Sequence, residues 1–301
     1  MHTRSLLDNK PLLEFFSLVF VLSIPFWLVD VLITQLPKGI PINLPASSLM
    51  AFNPLIAALI LTYRYKKSAG IKDLVKTVFD HKRIKRKRWY VPTIFLMPAM
   101  LFLSYWVMYL VGLPLLPQPN IPLLFVLVLF PVFFITALGE EVGWLGYAIN
   151  PMQDRWGALY ASMILGIVWA LWHLWGYIQT NNGLEWVIWQ FLGSIPLRIL
   201  IVWIYNNTGK SILAGILFHA MINVSEFSFP NYGSHYDPFI STIIFASAAA
   251  IVVFLWSPKT WTRYKCVLDF TLRMKGRTST RVCMKPWDNL QSAERGTGCF
   301  Q

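Results

Sequence analysis

Apolar residues dominate eight stretches of this chain, at about 11–36, 44–63, 89–113, 121–138, 157–178, 185–205, 211–227 and 238–257, separated by shorter, more polar joints. A helix needs about 20 residues to cross roughly 30 Å of hydrocarbon. The pattern therefore predicts an all-α, polytopic membrane protein of about eight transmembrane helices. The run after 210 is the weakest, because Asn223, Ser225 and Glu226 dilute its far end. Prolines 25, 54, 98, 131 and 196 fall within runs, which membrane helices tolerate when neighbours satisfy the freed carbonyls. The first run exceeds the apolar core of a signal peptide, about 7–15 residues, and no small-x-small cleavage site follows it. It is expected to stay as a span.

Composition sharpens the membrane reading. The chain is 56% hydrophobic and 13% charged, against roughly 25% charged in average soluble domains. Of the 26 Lys and Arg, eleven lie between Arg64 and Arg88 and nine between Lys259 and Arg295. The joints at 37–43, 112–120, 179–184 and 228–237 carry only Lys38. With eight spans, both basic blocks fall on one side, which the positive-inside rule assigns to the cytoplasm. The expected location is the plasma membrane with both termini cytoplasmic. The net charge of +12 then requires no nucleic-acid partner, although the block from Lys82 to Arg88 resembles a nucleic-acid-binding tract.

Within the first basic joint, Ile71, Leu74, Val75, Val78 and Phe79 recur at helical spacing, with Lys72, Asp73, Lys76 and Asp80 on the other face. This is the pattern of an interfacial helix whose neighbours at 64–88 attract anionic lipid headgroups. It equally fits a cytoplasmic helix covering the ends of spans two and three. Residues 1–258 read as one membrane domain and 259–301 as a basic, weakly ordered cytoplasmic tail. Cys266, Cys283 and Cys299 all lie in that tail and imply neither a disulfide framework nor a metal knuckle. Cys299 is too near the end for a Cys-a-a-X prenylation signal.

Against this background a few polar residues stand out. Glu140 and Glu141 follow the apolar run PVFFITALG, His173 closes GIVWALWHLWG, and His219 precedes Asn223 by four. Ionisable groups at membrane depth cost roughly 2.5–3.5 kcal/mol each on insertion scales, so a cluster of them marks a candidate site. Adjacent helical residues point about 100° apart, so the two glutamates cannot share one task. His219 and Asn223 share a helix face about 6 Å apart and can act on one ligand. One or two carboxylates, two imidazoles and an amide can activate water and stabilise an oxyanion. Tryptophans 144, 169, 172 and 175 read as packing or interfacial residues, and His2, His81, His235 and Asp237 as solvated ones.

The segments EEVGWL at 140–145, WALWH at 169–173 and HAMIN at 219–223 resemble the three motifs of the CAAX-protease and bacteriocin-processing (CPBP, Abi) intramembrane proteases: Glu-Glu-x-x-x-Arg, aromatic-x-x-x-His and His-x-x-x-Asn. The resemblance covers roughly 130–225. It implies an eight-helix intramembrane endopeptidase acting on a prenylated or membrane-associated protein or peptide. Carried onto this chain, Glu140 is the general base, His173 positions the water, and His219 with Asn223 stabilises the oxyanion. Zn²⁺ is the candidate cofactor, since Glu140, His173 and His219 could form a ligand set.

One position departs from the pattern: Leu145 stands where the family carries Arg, leaving Glu141 without the cation one turn away. Arg198, in the middle of the sixth run, is the expected replacement, ahead of Arg155. The competing reading is a catalytically weakened scaffold or immunity-type binding protein on the same fold. A proton-coupled transporter would also bury Glu, His and Arg, yet no two related halves with paired broken helices are visible.

Overall fold

A computed structural model of the chain describes residues 10–34, 46–113, 115, 123–179, 183–229 and 236–256, with two short strands in the tail. The described residues form eight α-helices: α1 Lys10–Thr34, α2 Asn53–Val78, α3 Tyr90–Leu110, α4 Leu123–Gly143, α5 Ile149–Gln179, α6 Leu184–Asn207, α7 Ile212–Ser228 and α8 Pro238–Leu255. In the tail, β1 (Lys265–Cys266) pairs antiparallel with β2 (Cys283–Met284). The rest of 257–301 lies outside the described residues, as do His2, Lys38, His235 and Cys299.

All eight apolar runs contain helix, but they are not equivalent. Five helical stretches among the described residues are long and apolar enough to cross a membrane: Lys10–Leu32, Lys87–Leu110, Leu123–Gln179, Leu184–Asn207 and Pro238–Leu255. Helix α7 is apolar but shorter. The run at 44–63 is split between a 3₁₀ turn at Ala46–Phe52 and the first turns of α2. That helix then continues through Arg64, Lys66 and Lys67 and bends at Lys67, where φ is 55°. The chain is an integral membrane protein of all-α architecture.

The long stretch 123–179 holds two of the runs and two irregularities. A π-turn at Trp144–Ala148 follows α4 directly. Farther on, Gly157 adopts φ 77° and ψ 169°, a conformation in which a side chain is strained, and this breaks α5. Beyond Gly157 the chain returns alongside what precedes it, so that Trp144 meets Trp172 edge to face at 5.7 Å. Helix α5 packs along α6, α6 along α8, and α4 along α7 and α2.

The close approach of α4 to the 3₁₀ turn and the start of α2 is set by two glycines one turn apart. A β-carbon at Gly139 would lie 2.6 Å from the Ala51 carbonyl oxygen, and one at Gly143 would lie 2.5 Å from that of Pro54. Such small-x-x-x-small stripes let membrane helices approach closely without a hydrophobic driving force. The approach fixes the pose of the residues between them, Glu140 and Glu141. The apolar positions of 71–79 divide between two surroundings at the end of α2. Val78 is buried and Leu74 packs against Gly146, whereas Val75 and Phe79 stay exposed on the outer face.

Gly143→Val should push α2 off α4 at backbone level, where no side chain can yield. Overpacking of this kind costs about 1–3 kcal/mol. The expected result is a lowered thermal unfolding midpoint in detergent, whereas Gly176→Ala, where the added carbon meets nothing within 4 Å, should leave the midpoint unchanged.

Candidate active site

The two adjacent glutamates at the end of α4 face different partners, as their helical spacing requires. Glu141 is wholly buried between α4, α6 and α7. Its two oxygens accept from Arg198 Nη1 at 2.7 and 2.8 Å, and His219 Nδ1 lies 2.8 Å from Oε1. Arginine remains protonated in proteins, so the group facing it acts as a carboxylate, an acceptor. His219 must then carry its Nδ1 proton and donate it. The pairing leaves Nε2 of His219 as the ring atom free to act elsewhere.

Arg198 is itself inaccessible, and its Nε and Nη2 have no hydrogen-bond partner among the described residues. Its guanidinium carbon sits 4.3 Å from the centre of the Trp169 ring. The π-face supplies part of the missing stabilisation, a contact that gains strength when desolvated. Arg155 is not the cation on Glu141; it lies over the ring of Trp156 at 5.2 Å. Leu145 is fully buried, and its Cδ1 occupies the hollow above Gly215 on α7, 2.2 Å from where a β-carbon would be.

Glu140 faces α5 instead. Trp169 Nε1 donates to its Oε2 at 2.7 Å, and Trp144 Nε1 makes a longer bond of 3.4 Å to the same atom. The other oxygen, Oε1, is 3.9 Å from Nε2 of His173. His173 is held by Nδ1, which donates to the Trp169 carbonyl at 3.0 Å, one turn earlier on α5. A carbonyl only accepts, so in the neutral ring the proton resides on Nδ1 and Nε2 presents a lone pair toward Glu140. Trp172 clamps the same helix from behind by donating to Ser23 Oγ at 2.7 Å, and Asn53 donates to that oxygen at 3.0 Å.

Trp169 stands between the two halves, edge to face with His173 at 5.0 Å and with His219 at 5.4 Å. Four of the five site residues are therefore assembled in two coupled pairs, Glu140 with His173 and Glu141 with His219. Asn223, one turn beyond His219, is half-buried and makes no hydrogen bond among the described residues. In the candidate zinc set of Glu140, His173 and His219, Nδ1 of His219 is committed to Glu141, and Trp169 is in edge contact with both imidazoles. Among the described residues no three His, Cys, Asp or Glu side chains gather as a metal-binding group.

Sequence reasoning missed several contributors. Trp144 and Trp169, read as packing residues, hold Glu140; the available signal was their spacing of four from Glu140 and His173. Ser23 carried no signal, because serine is common in membrane helices. Glu226 lies seven residues after His219 and three after Asn223, on the same face of α7, a spacing that could have raised it as a site residue. Asp237, read as solvated, caps α8 by accepting from the Ile240 amide at 2.9 Å.

The family model for type II CAAX prenyl endopeptidases, Rce1-like, matches residues 122–225. That span contains Glu140, Glu141, Trp169, His173, Arg198, His219 and Asn223. The chain is also 30% identical over 242 residues to CAAX prenyl protease 2 of Methanococcus maripaludis, covering 72% of this chain and 84% of that protein. The chain belongs to the type II CAAX prenyl endopeptidase family. The membership extends well beyond the motif region into the N-terminal helices or the tail, since 242 aligned residues exceed the 104 spanned by 122–225.

Removing one partner of a buried ion pair strands the other charge and costs about 3–5 kcal/mol. Arg198→Leu should therefore lower the thermal midpoint sharply. Adding Leu145→Arg one turn from Glu141 should restore part of the loss, while Leu145→Arg alone, competing with a satisfied carboxylate and crowding Gly215, should not raise stability.

Proposed function

We propose that this protein is an intramembrane endopeptidase of the CAAX-protease type, hydrolysing a peptide bond in a prenylated or otherwise membrane-associated protein or peptide with water activated by Glu140. The observation that carries the reading is the facing pair Glu140 Oε1 and His173 Nε2, 3.9 Å apart and without another hydrogen-bond partner among the described residues. A water lying beside this gap can donate one hydrogen to each acceptor. Its lone pair then points away from both, toward a substrate carbonyl. The indoles of Trp169 and Trp144 occupy the other oxygen of Glu140, so the base has one free atom and one orientation.

Attack of this water on the carbonyl carbon passes its proton to Glu140 and places negative charge on the carbonyl oxygen. His219 and the amide of Asn223 are the donors for that oxygen, Nε2 of His219 requiring its own proton. Glu141 favours the imidazolium that results, because its carboxylate already accepts from Nδ1. Collapse of the tetrahedral species breaks the C–N bond, and Glu140 returns its proton to the leaving amine. None of these steps is routed through a metal. Arg198 supports the reaction indirectly by keeping Glu141 an acceptor, the task the family assigns to an arginine at Leu145. A scaffold without catalytic function would not need Glu140 and His173 held face to face.

Peptide cleavage by the purified protein in detergent, followed by mass spectrometry on a farnesylated substrate peptide, tests the proposal. Glu140→Gln keeps an acceptor for the Trp169 indole but lacks a base, and His173→Ala removes the second acceptor. General-base loss commonly costs 10²–10⁴ in rate. Each variant should lose at least about a hundredfold with an unchanged thermal midpoint; cleavage at the wild-type rate by Glu140→Gln would refute the mechanism. Loss of an oxyanion donor costs about 10²–10³, and Asn223→Ala should fall in that range. Activity should survive prolonged treatment with a chelator.

A further inference from the structure

Glu226 is a carboxylate within the helix bundle that the mechanism leaves without a task. It lies seven residues after His219 and three after Asn223, so α7 turns all three toward one side, with Glu226 a helical turn beyond the oxyanion donors. Phe227, next in sequence, points elsewhere: it is exposed and meets Phe133 of α4 at 5.1 Å. Glu226 itself is half-buried and makes no hydrogen bond or ion pair among the described residues. It lies within electrostatic range of His219, Tyr177 and Tyr236.

The tyrosines continue the site outward from His173. Tyr177 stacks on His173 at 5.9 Å, and its hydroxyl lies 3.1 Å from Ser194 Oγ. Tyr236 donates to Gln190 Oε1 at 3.0 Å. Both hydroxyls are thus engaged with α6. From Trp156 to Pro258 the only Lys or Arg are Arg198 and Lys210. Arg198 is held by Glu141, and Lys210 donates to Asn150 at 2.8 Å. Lys210 also precedes the start of α7, whereas Glu226 lies near its other end, roughly 21 Å farther along the axis. Among the described residues, the one positively chargeable group within range of Glu226 is His219, which is already committed to Glu141.

A carboxylate beside two aromatic rings and without a cation of its own is a receptor for one brought from outside. An arriving ammonium or guanidinium gains a charge-assisted hydrogen bond and the π-faces of the tyrosines together. We infer that Glu226 is a specificity-determining residue that reads a positively charged side chain, Lys or Arg, on the substrate close to the scissile bond. The reach follows from spacing. Asn223 marks the carbonyl of that bond, Glu226 stands roughly 4.5 Å farther along α7, and an extended peptide advances about 3.3 Å per residue. The cation therefore sits about one or two residues from the cleaved bond. The inference rests on the proposed protease activity for the place of the scissile bond, and on the surroundings of Glu226 for the preference for a cation.

Binding and cleavage test these supports separately. Farnesylated peptides are made with Lys, norleucine or Glu at one position at a time. Their affinity for the Glu140→Gln protein in detergent is measured by fluorescence anisotropy at about pH 8, where an ordinary histidine such as His235 is neutral. At one position Lys should bind at least about tenfold tighter than norleucine, and Glu more weakly than either. Adding Glu226→Gln should bring the ratio of Lys to norleucine to about one, and Glu226→Lys in its place should make the Glu peptide the tightest. Equal affinity for Lys and norleucine at every position, or a preference that survives Glu226→Gln, overturns the inference. Glu226→Gln keeps the shape of the side chain, so it decides the matter if Glu226→Lys does not fold. In the cleavage assay, Glu226→Gln alone should raise KM for the Lys peptide by about the same factor as the lost affinity; a loss that falls on kcat with KM unchanged overturns a specificity role. If no peptide is cleaved, the protease reading fails, and the affinity ratio still decides whether Glu226 reads a cation.

Discussion

A carboxylate removed wholly from water governs how this bundle can be built. Glu141 on α4 is tolerable at 0% exposure only because Arg198 of α6 and His219 of α7 both point at it. In a medium without competing water, the desolvation of each ion is repaid only when geometry and hydrogen bonding are nearly complete. Three helices are therefore bound to one register, and the face of Trp169 on Arg198 adds α5 to the set. An apolar helix bundle in lipid has no strong preference among rotations of its members, since lipid tails are as apolar as leucine. The ion pair supplies that preference. It turns α7 so that His219, Asn223 and Glu226 share the inward face.

The second constraint is the break at Gly157. Glu140 and His173 lie almost equally far from it on its two sides, so a return of the chain at that point brings them level. The π-turn after α4 adds a residue to one arm and rotates the face that follows it, which lets Glu140 look toward α5 while Leu145 settles on Gly215. Such turns are tolerated where a helix must present side chains out of its regular sequence of faces. Side chains alone span the distance between Glu140 and α5, and the large indole of Trp169 makes that possible. A smaller residue there would leave Glu140 without its donor and Arg198 without its cover.

Much of this was legible in the sequence because the membrane raises the cost of every misplaced polar group. Glu140, Glu141, His173 and His219 could be singled out without structural information, and their neighbours at four-residue spacing followed from helix geometry. The cation expected to answer Leu145 was found in Arg198, since an isolated guanidinium in an apolar run needs a carboxylate as much as Glu141 needs a cation. What stayed hidden has physical reasons too. Tryptophan serves both as packing and as a donor, so its role at 144 and 169 depends on which acceptor lies within reach. The bend at Lys67 arises where apolar and basic segments meet, the irregular helix at 46–52 lies within an apolar run just before Pro54, and hydropathy averaged over a window can locate neither. Which nitrogen of His219 faces Glu141 was likewise hidden, because spacing along one helix does not determine it.

The gradient of exposure across the site also divides its labour. Hydrolysis needs water, yet stabilising a developing oxyanion is most effective where water is excluded, because fixed dipoles and charges act more strongly in a low-dielectric surrounding. The Glu141–Arg198–His219 group lies on the dry side and has no task that requires solvent; its charges are fixed before a substrate arrives. The Glu140–His173 pair lies at the boundary, where one side chain is partly exposed and the other nearly buried. Water can reach the gap between them without flooding the ion pair behind. Exchanging the two glutamates' surroundings would defeat both tasks, since a base tied to Arg198 would be too weak to accept a proton and a carboxylate held only by indoles could not steady an imidazolium. The adjacent positions on one helix turn are thus bound to unlike chemistry by the neighbours that each one meets.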